Sequence, residues 1–292
     1  MLGEIRGEVR FKEPLSFHTS LRIGGAADIF VQPQDLDDIR HALAFAEREQ
    51  LPLITVGGGN NLLVTDRGVR GVVLKLEGCL GRSEFHGEEV VAGAGASLSA
   101  LIREAAALNL GGLEALVGIP ATVGGALAMN AGTDEATIGD FVSAVYFLHP
   151  DGTLGEFKPA AGSFTYRAFQ APERSVLVGC RLQLHRRSFA DIQREMKGRL
   201  KRKKATQPLA LASAGCVWKN PGGETASRLI EKVGLRGKRL NGAEISSKHA
   251  NFIVNRGGAA ANDILALMQL TRERVQSHFG VTLEPEIRII GE

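Results

Sequence analysis

Short apolar runs alternate with amphipathic stretches along the chain. Ile29-Phe-Val31 and Leu53-Ile-Thr-Val56 read as strands, and between them Leu36, Ile39, Leu43 and Ala46 recur at helical spacing. Val72-Val-Leu-Lys-Leu76, Val90-Val-Ala92, Val142 to Leu148 and Val176 to Leu184 are further strand candidates. Ser97 offers an N-cap to a helix carrying Leu98, Leu101, Ile102, Ala105 and Leu108. A helix from Ser188 to about Lys204 places Phe189, Ile192, Met196 and Leu200 on one face, and Ser188 with Asp191 resembles a capping box with Asp in place of Glu. From Gln207-Pro208 onward the pattern predicts a helix over 225–233, a strand over 251–254 and a helix over 262–279 capped by Asn262, with Ile264, Met268 and Val275 sharing a face. Glu286-Ile-Arg-Ile-Ile290 closes the chain as a strand. Runs of strands with interspersed helices predict an α+β architecture, divided as 1–68, 69–205 and 206–292, with the final strand free to return to the earlier lobes.

Two stretches break this pattern. Gly57-Gly-Gly-Asn-Asn-Leu-Leu-Val64 follows a buried strand, and Gly118-Ile-Pro-Ala-Thr-Val-Gly-Gly-Ala-Leu-Ala-Met-Asn-Ala-Gly132 is small, apolar and uncharged, with Pro120 suited to the first turn of a short helix. Glycine makes up 36 of 292 residues, against a usual ~7%. It clusters at 57–59, 93–95, 111–125 and 257–258, so it serves tight turns or lets backbone approach a ligand closely. Gly93-Ala-Gly95 sits between a strand and a helix, but Leu98 replaces the third glycine of a dinucleotide fingerprint and no acidic residue stands at the expected distance. There is no GxxxxGK[ST] loop either. Phosphates would therefore meet successive backbone N–H groups in Gly-rich turns; turns alone are the other reading.

Charge and cysteine usage narrow the classes. A net charge of +3 is too small to predict a nucleic-acid partner. Lys201-Arg-Lys-Lys204 reads as charge complementing a helix C-terminus, with no aromatic residues interleaved. Cys79, Cys180 and Cys216 are odd in number and widely spaced, which predicts no disulfide framework and no thiolate metal site. The seven histidines lack HxxxH spacing, so no metal is expected. A reducing cytoplasm is the expected compartment. No apolar run approaches the ~20 residues of a membrane span, so no membrane partner is expected.

The candidate chemistry lies in three separated pieces: Ser213-Ala-Gly-Cys-Val-Trp-Lys-Asn-Pro221, Tyr166-Arg167 and Pro285-Glu286. A thiol of ordinary pKa near 8.5 is mostly protonated at neutral pH, so Cys216 can donate a proton. Arg167 offers fixed positive charge. Glu286 enters an apolar strand and lies either at an exposed edge or in a site. A thiol acid with an Arg and a Glu suits a reaction that makes and then quenches a carbanion or enolate. Lys219-Asn220 reads as a phosphate or carbonyl contact or as a turn before Pro221. His249 in His249-Ala-Asn251 reads as structural.

Taken in order, Arg22-Ile-Gly-Gly-Ala-Ala-Asp28, the two Gly-rich blocks, Phe164-Thr-Tyr-Arg167, Ser213 to Pro221, His249-Ala-Asn-Phe-Ile-Val-Asn255 and Glu284-Pro-Glu-Ile-Arg288 resemble the UDP-N-acetylenolpyruvoylglucosamine reductase family over nearly the whole chain. The resemblance implies a vanillyl-alcohol-oxidase-type (PCMH-like) FAD-binding fold in two lobes plus a C-terminal α+β substrate-binding lobe. It implies noncovalent FAD, with NADPH as co-substrate and UDP-N-acetylglucosamine enolpyruvate as substrate, in a monomeric enzyme of bacterial peptidoglycan synthesis. Catalysis would fall on Arg167, Cys216 and Glu286. FAD would be held by Val56, Gly57, Gly58, Gly59, Asn60, Asn61, Leu62, Gly118, Ile119, Pro120, Thr122, Gly124, Gly125, Asn130, Ala131 and Arg167. Substrate would meet Tyr166, Arg167, Lys219, Asn220, Asn251 and Arg288. The chain departs from the family at Cys216, where most relatives have Ser, and at Trp218, where they have Phe; both proton donors can do the same transfer. The short spacing between the Tyr-Arg and Cys segments matches the shorter subtype. A flavin oxidase of the same fold and a binder that has lost its flavin are the rival readings.

Overall fold

Leu36–Arg48 is helical because its apolar residues share one face and Asp35 caps it. The Asp35 carboxylate accepts from the N–H groups of Asp37 and Asp38, and Ile39, Ala42, Leu43 and Ala46 are buried. Ser97 caps Leu98–Ala107 in the same way, by accepting from Ala100. The computed structural model describes residues 2–172 and 174–292. They form two compact units: one from the N-terminus to Phe11 with Ile29–Gly58 and Gly71–Lys203, the other from Lys12–Asp28, Gly59–Arg70 and Lys204–Glu292. The units do not follow the division at 68/69 and 205/206, since residues 59–70 group with the C-terminal segment rather than with the N-terminal one.

Two sheets lie mainly in the first unit. One runs in the order Glu8–Pro14, Ala26–Gln32, Val69–Lys75, Leu53–Val56, with Leu53–Val56 parallel to its neighbour from Leu53↔Val72 to Val56↔Lys75. The other is antiparallel, in the order Leu154–Phe157, Val142–Leu148, Val176–Gln183, Glu89–Gly93, Ser83–His86. Val90, Ala92, Leu98, Leu101, Leu116, Val123, Leu127 and Cys180 share one core. Ile39, Val72, Leu74, Leu148 and Val176 share another. The strands Glu8–Pro14, Ser83–His86 and Leu154–Phe157 were not expected from the pattern. Each is an edge strand, half-exposed, and so has no clean apolar face to read.

The second unit has a four-stranded antiparallel sheet, Ala212–Cys216, Phe252–Asn255, Ala243–Ile245, Arg239–Leu240, and a parallel pair, Leu62–Val64 with Arg288–Ile290. Trp218, at 1% exposure, is the largest side chain of its core, together with Leu21, Leu63, Ile245, Ile264, Leu283 and Ile287. Buried Glu244 is neutralised by Arg239 and by Arg256 at 2.9 Å, and these cations hold its carboxyl below the usual range.

Three expectations need correction. The last long helix is Ala261–Phe279, and its cap is not Asn262. The Asp66 carboxylate accepts from Ala261 N at 2.8 Å and from Asn262 N at 3.1 Å, so a distant residue caps this N-terminus. Pro120 lies ahead of the short helix Val123–Ala128, whose cap is Thr122. In Phe189–Thr206 only Ile192 is fully buried, while Phe189 and Leu200 are exposed, so the expected apolar face is largely turned to solvent. Ser188 does cap this helix, accepting from Asp191 N at 3.2 Å.

Candidate active site

In the first unit, the strand Leu53–Val56 delivers the chain into Gly57-Gly58. A Cβ at Gly57 would stand 2.3 Å from Thr122 Oγ1, so the first Gly-rich turn lies against the second block. Thr122 Oγ1 already accepts from Gly125 N at 3.2 Å. Gly118 adopts φ +75, and Gly124 packs on Ala94, where a Cβ would meet Cβ at 2.9 Å. Pro120 and Gly125 are exposed, which puts backbone rather than side chain at the surface of this block. Ile119 N donates to Leu116 O, and Ala131 N to Ala126 O.

Asn130 ties the block to the Tyr-Arg segment. It is 5% exposed with φ 39. Its Nδ2 donates to Thr165 O at 3.0 Å, and its Oδ1 accepts from Gly139 N at 3.1 Å. Phe164–Thr165 and Ala168–Phe169 form a hairpin, closed on the Phe164–Phe169 ring stack at 4.4 Å. Its two-residue turn is Tyr166-Arg167, in which only the second central residue, Arg167 at φ 58, takes the left-handed conformation. The Arg167 guanidinium donates to Gly132 O at 3.3 Å and lies 5.2 Å from the Tyr166 ring centroid. Within this unit Gly57 thus lies against Thr122, and Asn130 ties the second Gly-rich block to the hairpin that carries Arg167.

In the second unit, Gly59 has φ +63 and a Cβ there would meet His18 O at 2.0 Å, so only glycine fits. Ser20, which the sequence pattern did not single out, donates its N–H to Gly59 O at 3.1 Å and its hydroxyl to Ser213 O at 2.7 Å. Asn61 accepts from Arg288 N at 2.9 Å, and its Nδ2 donates to Glu286 O at 3.2 Å. Leu62 then pairs with Arg288. Asn60 lies in this same turn, half-buried.

Cys216 ends a strand that shifts register against Phe252–Asn255 between Ser213 and Cys216, where Gly215 takes φ +80. Such an irregularity re-aims the side chains after it. Val217 O accepts from Glu286 N at 2.7 Å and Lys219 N donates to Glu284 O at 2.9 Å, so Trp218 lies opposite Pro285. This pairing puts Cys216 and Glu286 on adjoining segments. Lys219 Nζ is 3.3 Å from Glu284 Oε2. Asn220 Oδ1 accepts from Ala226 N at 3.1 Å, shaping the turn into the next helix. Asn251 is 3% exposed, and both ends of its amide bond to the backbone of Trp218. Arg288 is exposed. Burial pushes the thiols of Cys79 and Cys180 up, to about 11 and about 12. Burial lowers the pKa of His249 below its ordinary value, with Arg236 adding to the effect, against the pull of Glu231.

The donor set fits FAD. The 118–125 block, with Pro120 and Gly125 exposed, carries backbone amides of the kind a pyrophosphate accepts from, and it contains no His. Among the described residues no His, Cys, Asp or Glu cluster is arranged for a metal, and no helix is long and apolar enough to cross a membrane.

Fold and donor set define an FAD-containing oxidoreductase, and residues 27–158 match the family described as FAD binding domain. Residues 207–290 match the C-terminal domain of UDP-N-acetylenolpyruvoylglucosamine reductase. The relative so named from Geobacter metallireducens is 43% identical over 290 residues, covering 99% of this chain and 96% of its own. One from Anaeromyxobacter sp. is 44% identical over 289 residues, covering 99% and 90%. The crystal structure of that reductase from Thermus caldophilus superimposes with a TM-score of 0.85 at 36% identity, covering 98% of this chain and all of the other. This chain belongs to the UDP-N-acetylenolpyruvoylglucosamine reductase family. The α+β flavin-binding fold expected from the resemblance is the fold observed.

Proposed function

We propose that this chain uses NADPH to reduce UDP-N-acetylglucosamine enolpyruvate to UDP-N-acetylmuramate, as a monomer in the bacterial cytoplasm. The observation that supports it most directly is the Trp218–Pro285 pairing, which sets a thiol and a carboxyl of the right kinds on adjoining segments. Bound FAD supplies the two-electron relay from NADPH to C3 of the enolpyruvyl group. Arg167 provides fixed positive charge to the substrate carboxylate as enolate charge builds on it. Cys216 gives its Sγ proton to C2, and solvent reprotonates the thiolate. Glu286 sets the polarity beside that donor. Tyr166, Lys219, Asn220 and Arg288 serve the sugar nucleotide, and the glycines of 57–59 and 118–125 serve the flavin.

An anaerobic visible spectrum tests this in two additions. NADPH should bleach a yellow protein, and UDP-N-acetylglucosamine enolpyruvate should restore the colour. A protein that stays bleached with the enolpyruvyl compound but reoxidises promptly in oxygen is an oxidase instead, and the reading is wrong.

A further inference from the structure

The segment from Cys216 to Lys219 runs between two partners. On one edge it bonds to Glu284 and Glu286, which leaves the N–H and C=O of Trp218 pointing to the opposite edge. There the regular strand has not yet begun, because Phe252–Asn255 starts one residue after Asn251. Val217 N donates to the Asn251 backbone carbonyl at 2.8 Å, the last bond the main chain can supply. The Asn251 side chain supplies the next pair. Its Oδ1 accepts from Trp218 N at 2.9 Å and its Nδ2 donates to Trp218 O at 2.8 Å. A side-chain amide has a peptide's donor and acceptor, so here it acts as one further residue of the ladder.

Burial makes this pair matter. Asn251 is 3% exposed and Trp218 1%, so removing the amide leaves two buried backbone groups without partners. The indole is held on a further side by Arg272, whose guanidinium carbon is 5.3 Å from the ring centroid. Trp218 is therefore fixed by its own backbone on the Asn251 edge, by its neighbours Val217 and Lys219 on the other edge, and by its ring. Cys216 lies two residues before it, and Glu286 is bonded to the residue between them.

We propose that Asn251 is a positioning residue: its amide closes the ladder on Trp218 and so fixes the backbone that carries Cys216 and meets Glu286, without touching substrate. This rests on the reduction proposed above, in which Cys216 is the proton donor. Asn251 thereby leaves the set of substrate contacts that the family resemblance implied for it.

The test uses the full-length flavoprotein with Asn251→Ala and Asn251→Asp. The aspartate keeps the acceptor for Trp218 N–H but sets a carboxylate oxygen against Trp218 O, so it separates loss of the donor from loss of bulk. Reoxidation by the enolpyruvyl substrate should slow about a hundredfold, the cost of misplacing a reacting group by an ångström, with KM and bleaching by NADPH unchanged. Two readouts do not depend on turnover. Trp218 is the single tryptophan, so its emission should shift to the red in both variants. Iodoacetamide labelling at Cys216, located by peptide mass, should speed up, while labelling at Cys79 stays as it was. A raised KM with kcat, emission and Cys216 labelling unmoved would make Asn251 a substrate contact and overturn the proposal. If Asn251→Ala fails to fold, Asn251→Asp gives the same readings. Should wild-type protein ignore the enolpyruvyl substrate, the proposed reaction fails, and an unshifted emission and unchanged labelling would then separately overturn the clamp.

Discussion

Asn130 and Asn251 are both buried and both give their amides to backbone, one in each unit, yet they do different work. Asn130 bridges two segments, Thr165 and Gly139, and so anchors a hairpin that has only two residues in each strand. Asn251 bonds twice to one residue and extends a sheet that already exists. In the reaction proposed above, the hairpin would offer Arg167, a long charged side chain, to a carboxylate, and the sheet would offer Cys216, a short side chain, as proton donor to one carbon.

Removing the donor itself should have the largest effect on this contrast. Cys216→Ala should slow the second half-reaction by about 10²–10⁴-fold and leave bleaching by NADPH intact. Stopped-flow spectra of the two halves check this, and equal slowing of both would end the proton-donor role. Asn130→Ala comes next. It removes two part-buried hydrogen bonds, to Thr165 O and from Gly139 N–H, at about 0.5–1.5 kcal/mol each. Urea unfolding should show the loss, together with a raised KM for the anionic substrate because Arg167 is no longer anchored. Unchanged stability would mean that the ring stack alone holds the hairpin. Gly59→Ala should cost about 1–3 kcal/mol through its left-handed backbone, with further clash at His18 O, read as a lower Tm and weaker flavin retention.

The pH response is smaller. Burial lowers the folded-state pKa of His249, so below its ordinary value the unfolded chain binds more protons than the folded one. Stability should therefore fall as pH drops below about 6.5 and should be fully present above it. Denaturation midpoints across that range, compared with His249→Phe, check the sign; a midpoint that rises on acidification would refute it. Arg272→Leu should have the least effect on activity, with about 1–2 kcal/mol of stability lost for a cation stacked on a buried indole. Tryptophan emission would move less than in Asn251→Asp.

Elements with one fully apolar face were legible in the sequence. Leu36–Arg48 shows its burial as helical periodicity and Val142–Leu148 as a largely apolar run, because the same positions are apolar and enclosed. Short edge strands were not, since Glu8–Pro14 mixes charge with half-buried positions. The cap of Ala261–Phe279 was illegible for another reason: the bonding groups of Asp66 meet their partners only after the chain has folded back. Candidate residues were visible as types, thiol, guanidinium and carboxyl, but their supports were not. Ser20 carries no local signal, and Asn251 in a run like His249-Ala-Asn251 looks the same whether its amide faces a ligand or a neighbouring strand.

The parallel pairing of Leu62–Val64 with Arg288–Ile290 has a consequence for biosynthesis. During translation the first of these strands emerges early and stays without its partner while most of the chain is made. Leu21, Ile23 and Leu63 belong to the same core as Trp218 and Ile287, so those side chains also remain uncovered until late. Closing so long a loop adds little entropy beyond that of a shorter one, but it delays folding and leaves apolar surface open to aggregation in the interval. Nascent chains of this protein should therefore engage chaperones through residues 12–28 and 59–70. A fragment cut at residue 207 should be insoluble, because the core it needs includes side chains from the other end of the chain.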